Sequence, residues 1–184
     1  MGGVDSLCLT TLYGFHSLQL TSSHRCRPFD ANRDGISIGE AAAFALLERP
    51  SSRDDASTIA LLGVGESSDG YHLSAPHPDG LGARLAMQAA LAMSGIAAEA
   101  VGYINLHGTG TVANDSAESR AVEGIFGSAV PCSSTKGATG HTLGAAGALE
   151  AVIGAIAWRH ELIPGGVNTT CVDPALHLDY VTCT

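Results

Sequence analysis

The second half of this chain alternates short apolar runs with longer segments of helical periodicity, and that alternation constrains the fold more than any other feature. Apolar spacing predicts three helices, over residues 81–93, 115–126 and 141–159. Short buried strands are predicted between and after them, over residues 101–106, 130–132 and 178–183. Strands and helices in this order build a layered α/β fold, because the helices cover the faces of a parallel sheet.

The first half of the chain has a less regular pattern. It predicts a helix over residues 5–20, a polar loop over 25–39 and a small-apolar strand over 41–48. The β-rich run 58–64 is expected to pair with that strand as a hairpin, because only a polar turn separates the two.

Charge and composition exclude several function classes. The 184 residues carry a net charge of −9 and no cluster of Lys and Arg, so no nucleic acid partner is expected. The longest apolar stretch, 143–158, contains Glu150 and is too short to cross a bilayer, so no membrane span is expected. The five cysteines are odd in number and irregularly spaced, and the N-terminus lacks the pattern of a secretory signal. Together these features predict a cytoplasmic protein with reduced thiols.

Two histidines lie in loops rich in Gly and Thr, with a lysine between them in sequence. His107 directly follows a predicted strand, where α/β folds place their sites, and His141 precedes a predicted helix whose dipole would keep the ring neutral. With the Lys136 ammonium, the two imidazoles predict a site that polarises a carbonyl group and handles negative charge. The alternatives left open are a His107 ring satisfied by turn backbone, a helix cap at His141 and a solvated Lys136.

Three carboxylates are candidates for the same site. Asp115 and Glu118 begin a predicted helix, where they could orient a histidine or neutralise Lys136. The simpler interpretation of these two is helix capping, with Asn114 or Asp115 as the N-cap. Glu150 lies well inside a mostly apolar helix, so its carboxylate is expected to need a partner.

A metal centre built from His107, His141 and Asp115 is a further alternative. No two of these residues show the close spacing of a metal-ligand pair. No metal is therefore expected.

Three segments together resemble the β-ketoacyl-acyl-carrier-protein synthases. Residues 27–40 resemble the family's RPFDxxRDG…GE segment, and residues 107–118 resemble its HGTxTxxxDxxE motif. Residues 134–150 resemble STKxxxGHxxGAAGxxE. The motifs occur in the family's order and span nearly the whole chain, and within the family the chain resembles the synthases of polyene pathways.

The resemblance implies a fold and a reaction. The fold would be the C-terminal half of a thiolase-like αβαβα layered sandwich. The reaction would be a decarboxylative Claisen condensation of malonyl-carrier protein with an acyl-enzyme thioester in fatty acid or polyketide synthesis. Substrates would arrive on the phosphopantetheine arm of acyl carrier protein, so no further cofactor is implied.

The resemblance also implies residue roles. His107 and His141 would assist decarboxylation and stabilise the enolate, while Lys136 would balance charge in the site together with Glu150. Asp115 and Glu118 would support the lysine loop. Thr109 and Thr111 would contact the phosphopantetheine arm.

The chain also departs from the family pattern. No cysteine lies in the nucleophile context, and Cys132, which precedes two serines, is expected to be a buried strand-end residue. The family's nucleophile region would precede this chain, and its Gly-rich loop would follow the last strand. A chain cut at both ends is therefore expected. Residues 1–57 would close the N-terminal half and residues 58–184 would form the C-terminal domain. Ile36 stands where many members have Phe, and Val112 where many have Pro.

Two assignments of the complete protein stay open. The first is an active ketosynthase, which both histidines and Lys136 favour. The second is a non-catalytic partner of the chain-length-factor type, which keeps the fold and lacks the nucleophile. The expected partners are acyl carrier protein, the N-terminal half, and a second subunit in a homodimer or a ketosynthase heterodimer.

Overall fold

The computed structural model describes residues 1–52, 55 and 57–183. The helices are α1 to α5, and they span Leu9–Ser17, Leu81–Ser94, Val112–Phe126, Lys136–Thr139 and Ala146–Arg159. The strands are β1 to β5, and they span Gly2–Asp5, Ala41–Phe44, Ile104–Asn105, Pro131–Ser133 and Asp179–Tyr180. The boundary between the two predicted domains, between residues 57 and 58, stays a prediction.

The second half forms the parallel sheet that its alternating pattern predicts. The strand order is β3-β4-β5, and each neighbouring pair is parallel. The strands are short because each leads at once into a loop or turn. Leu106, Val122 and Cys132 are buried in one cluster with Phe29 and Tyr180, whose rings lie 5.0 Å apart. This core lies directly beneath the loop that carries His107.

The predicted hairpin between 41–48 and 58–64 is wrong. Strand β2 instead pairs antiparallel with β1, in a register that joins Gly2 to Phe44 and Asp5 to Ala41. Residues 58–64 form no strand. These residues instead approach α2 closely, since a Cβ at Gly63 would lie 2.5 Å from the Ala90 carbonyl oxygen.

The helix boundaries also differ from the sequence pattern. Helix α1 is shorter than the predicted 5–20, because residues 2–5 are taken into β1. The third predicted helix begins only at Ala146, after a 3₁₀ turn over Leu143–Ala145, and α4 in the lysine loop had no periodic signal. Helix α5 packs against β1 and β2, so it joins the small sheet to the site.

Among the described residues, no helix combines the length and the apolar character that a bilayer crossing requires.

Candidate active site

The His107 loop is held from below by the carboxylate of Glu118. One oxygen accepts the His107 N–H at 2.6 Å and the other accepts the Gly108 N–H at 2.8 Å. Gly108 has φ +40°, and a Cβ there would lie 2.4 Å from the Ser134 Cβ, so the loop turns where only glycine fits. Burial raises the pKa of Glu118 to about 7, although the two N–H donors oppose that shift.

Asp115 holds the next part of the same loop. Its Oδ1 accepts the Thr109 N–H at 3.0 Å and the Gly110 N–H at 3.3 Å, and its Oδ2 accepts the Phe29 N–H at 2.8 Å. Asp115 and Glu118 therefore support the histidine loop, not the lysine loop as the resemblance implied. The N-cap prediction at residue 114 or 115 is also wrong, because the Thr111 side chain accepts the N–H of Asn114.

Lys136 connects the two loops. Its side chain is only 1% exposed, and its ammonium donates to the His107 carbonyl oxygen at 2.5 Å and to the Glu150 carboxylate. The expectation that Glu150 needs a partner is confirmed, and that partner is Lys136. The solvated-lysine alternative is wrong, because this ammonium is buried and has two strong acceptors.

The His141 loop is held by backbone hydrogen bonds. The His141 N–H donates to the Ser37 carbonyl at 2.7 Å, and its carbonyl accepts the Gly39 N–H at 3.0 Å. The two imidazole rings meet edge to face, with centroids 5.1 Å apart. Residues from two distant loops therefore form one histidine pair.

Both imidazoles are neutral at physiological pH. Burial, the Lys136 ammonium and the neighbouring His141 lower the pKa of His107 to about 3, although one side of the residue is exposed. Burial and the same ammonium lower the pKa of His141 to about 4. The prediction of a neutral His141 is confirmed, but its expected cause is wrong. The following α-helix begins only at Ala146, so burial and Lys136 take the place of the helix dipole.

The hydrogen bonds select one tautomer in each ring. The Leu143 N–H lies 3.2 Å from His141 Nδ1, which must therefore accept. The Lys136 ammonium lies 3.4 Å from His107 Nδ1, and an ammonium can only donate. Each neutral ring then carries its proton on Nε2. Two neutral N–H donors in one site can bind a single oxygen that becomes negatively charged.

Residues 26–39, which we call the clasp segment, contact both histidine loops. The Gly35 N–H donates to the Gly110 carbonyl at 3.0 Å, and the Cys26 thiol donates to the Thr109 carbonyl at 3.2 Å. The clasp segment also contains the residues that pair with His141. The sequence predicts only a polar loop and a family motif in this region. The signal that could have revealed its role is the density of Asp, Arg and Gly in residues 30–35.

The two threonines predicted to contact the phosphopantetheine arm differ in burial. Thr109 is buried, and its hydroxyl lies 2.8 Å from that of Thr111, which is half-buried and caps α3. Cys132 is fully buried in β4, as expected, and burial raises its thiol pKa to about 12. The His107, His141 and Asp115 alternative gains nothing from the geometry, because no group of three potential ligands converges among the described residues.

Comparisons with known proteins agree with this geometry. Residues 1–53 match the model of the beta-ketoacyl synthase N-terminal domain, and residues 59–170 match that of the C-terminal domain. A 3-oxoacyl-[acyl-carrier-protein] synthase 2 of Synechocystis is 42% identical over 98% of this chain and 46% of its own length. One from Rhizobium meliloti is 41% identical over 91% of this chain and 43% of its own. The chain thus spans about half the length of the curated relatives it matches.

A solved structure gives the same result in three dimensions. A ketosynthase in complex with its chain length factor, from Xenorhabdus doucetiae, is 45% identical, with a TM-score of 0.88. The match covers 100% of this chain and 45% of that one. The predicted α/β fold, part of a thiolase-like sandwich, is confirmed.

Proposed function

This chain belongs to the β-ketoacyl synthase family, and we propose that it supplies the histidine half of a condensing site. The reaction would be decarboxylative Claisen condensation of a malonyl-carrier thioester with an acyl-enzyme thioester. The observation that carries the proposal is the pair of neutral imidazoles, which both hold their proton on Nε2.

The pair fits the charge that the reaction develops. Loss of CO₂ from a malonyl thioester leaves an enolate, whose negative charge lies largely on the thioester oxygen. The Nε2–H groups of His107 and His141 would donate to that oxygen, because hydrogen bonds of about 2.9 Å from two adjacent rings can reach one atom. The enolate carbon would then attack the acyl thioester and release the enzyme's thiolate.

Lys136 would keep the pair in its donating form. Its positive charge disfavours protonation of either ring, and its hydrogen bond to the His107 carbonyl fixes the start of the loop. Glu150 would offset the buried charge of Lys136 and hold the ammonium in place beside His107. Thr109 and Thr111 remain proposed contacts for the phosphopantetheine arm.

The proposal extends to the partners. Acyl carrier protein would deliver both thioesters, as the names of the relatives indicate for those proteins. A second subunit, in a homodimer or with a chain length factor, is supported by the matched ketosynthase, which forms a complex of the latter kind. We also propose a cytoplasmic protein, which the five free cysteines support, and the polyene assignment stays a prediction.

The decisive experiment measures decarboxylation of malonyl-carrier protein by the full-length protein. The proposal expects CO₂ release that depends on both imidazoles, and condensation when an acyl-carrier protein is added. A full-length protein that binds a ketosynthase partner but neither decarboxylates nor becomes acylated would instead be a non-catalytic partner subunit.

A further inference from the structure

We propose that Arg33 is a positioning residue for the condensing site, acting through Asp115 to hold the backbone that carries His107. The inference rests on the proposed function, and it adds a residue outside the His–Lys–Glu group. Arg33 lies in the clasp segment, and its side chain is only 3% exposed.

Arg33 joins three separate parts of the chain. Its Nη1 donates to the Asp173 carboxylate at 2.7 Å and to the Asp30 carbonyl at 2.9 Å, while Nη2 donates to the Ser116 hydroxyl at 3.3 Å. Its Nε lies 3.6 Å from Asp115 Oδ2, within ion-pair distance but without a hydrogen bond. The guanidinium is thus fixed from outside and directed toward Asp115.

Asp115 in turn holds the backbone of the His107 loop. Its side chain is fully buried, and it accepts the N–H groups of Thr109 and Gly110, which follow His107 by two and three residues. A neutral carboxyl group would accept these bonds more weakly, because charge-assisted hydrogen bonds are about twice as strong as neutral ones. Burial raises the pKa of Asp115, and Arg33 is the cationic group that opposes that shift. The positive charge of Arg33 therefore favours the ionised Asp115 that the loop needs.

A lysine could not replace these contacts. A guanidinium directs several N–H donors in a plane, and here they reach a carboxylate, a carbonyl and a hydroxyl from different segments. We expect Arg33→Lys to retain part of the effect, since it keeps the charge, and Arg33→Met to lose it. Arg120 on α3 offers a matched control, because it bonds the Pro78 carbonyl on the surface and contacts nothing in the loop.

The first measurement is the steady-state decarboxylation of malonyl-carrier protein by the full-length variants. Arg33→Met should lower kcat about 10-fold or more with little change in KM, because a misplacement of 1 Å can cost about 100-fold in rate. Arg120→Met should leave both constants unchanged. Combined with Asp115→Asn, Arg33→Met should add little further loss. An unchanged kcat, or a fully additive double variant, would overturn the inference.

The second measurement needs no activity. Residue-resolved hydrogen–deuterium exchange should show faster exchange in Arg33→Met at Thr109 and Gly110, whose N–H groups bind Asp115. His107 and Gly108, whose N–H groups bind Glu118, should change less. A uniform increase over the chain would mean a general structural role and would overturn the inference.

Two further comparisons distinguish failure of this inference from failure of a variant to fold and from failure of the proposed function. If Arg33→Met does not fold, Asp173→Asn releases only the outer contact of Arg33 and should give the same exchange pattern in weaker form. Absence of that pattern then counts against the inference. If the wild-type full-length protein does not decarboxylate, the proposed function fails, while the exchange pattern still decides whether Arg33 positions the loop.

Discussion

The two histidine loops each bring a neutral imidazole to the candidate site but are held by different forces. The His107 loop rests on two buried carboxylates, those of Asp115 and Glu118, which accept four of its backbone N–H groups. The His141 loop is held mainly by backbone hydrogen bonds to the clasp segment, and the carboxylate that accepts its Gly144 N–H, that of Asp5, is partly exposed. A single buried ammonium, that of Lys136, binds the His107 carbonyl oxygen and lowers the pKa of both imidazoles.

Because of this difference, we expect the His107 loop to be sensitive to changes of charge and the His141 loop to changes of backbone geometry. Carboxylate–amide contacts depend on ionisation, so the His107 loop should respond to substitutions that neutralise or misplace a charge. Backbone pairing does not depend on side-chain identity, so the His141 loop should tolerate polar changes nearby. The two loops are nevertheless expected to act as one unit in the reaction.

The largest expected effect tests that unity. In the full-length protein, His107→Ala and His141→Ala should each slow malonyl decarboxylation by a factor equivalent to about 3 kcal/mol, because each removes a donor to the developing enolate. The double variant should lose much less than the sum. Near-wild-type decarboxylation in either single variant would remove that histidine from the mechanism.

The next effect tests the ion pair between the buried Lys136 ammonium and Glu150. Glu150→Gln leaves the buried Lys136 charge uncompensated, a change that costs about 3 to 5 kcal/mol in comparable buried pairs. The melting temperature and the decarboxylation rate should both fall. Glu48→Gln, at an exposed position after β2, is the control and should change little. Equal effects of the two substitutions would contradict the importance of the pair.

A smaller effect sharpens the contrast between the loops. Glu118→Gln places an amide N–H₂ group against a backbone N–H of His107 or Gly108, and an unsatisfied buried donor costs about 1 to 3 kcal/mol. In the His141 loop, the buried Thr142 hydroxyl has no partner, so Thr142→Val should be neutral or slightly stabilising. Urea denaturation of both variants measures the difference. A costly Thr142→Val would show that side-chain polarity also holds the His141 loop.

The last effect is a pH dependence of stability. Between the folded pKa of about 3 for His107 and the unfolded value of about 6.5, only the unfolded chain binds the proton, so stability falls as the pH falls through this window. For His141 the window ends at about 4. His107→Gln should therefore reduce the acid sensitivity over a wider range than His141→Gln.

Unfolding titrations from pH 7 to pH 3 measure these slopes, with the exposed His160→Gln as the control. Identical slopes for wild type and both site variants would show that the rings are not buried as neutral groups.

The sequence predicted which residues the structure brings together at the candidate site, but not what supports them. His107, His141 and Lys136 were identified from their loops, and the need of Glu150 for a partner from its place in an apolar helix. The targets of Asp115 and Glu118 were missed, because a carboxylate near a helix start is also typical of capping. In the structure Thr111 caps α3, and the two carboxylates instead accept N–H groups of the preceding loop.

Local pattern determined the order of strands and helices in the second half, because apolar periodicity records which face of each element is buried. It also determined which residues can carry charge or protons. Only the tertiary structure decided that β2 pairs with β1, that Lys136 contacts the His107 carbonyl, and that the clasp segment reaches both loops. These contacts join residues far apart in sequence, and hydrogen bonds between backbone groups depend on proximity in the fold and leave no periodic trace in the amino acids.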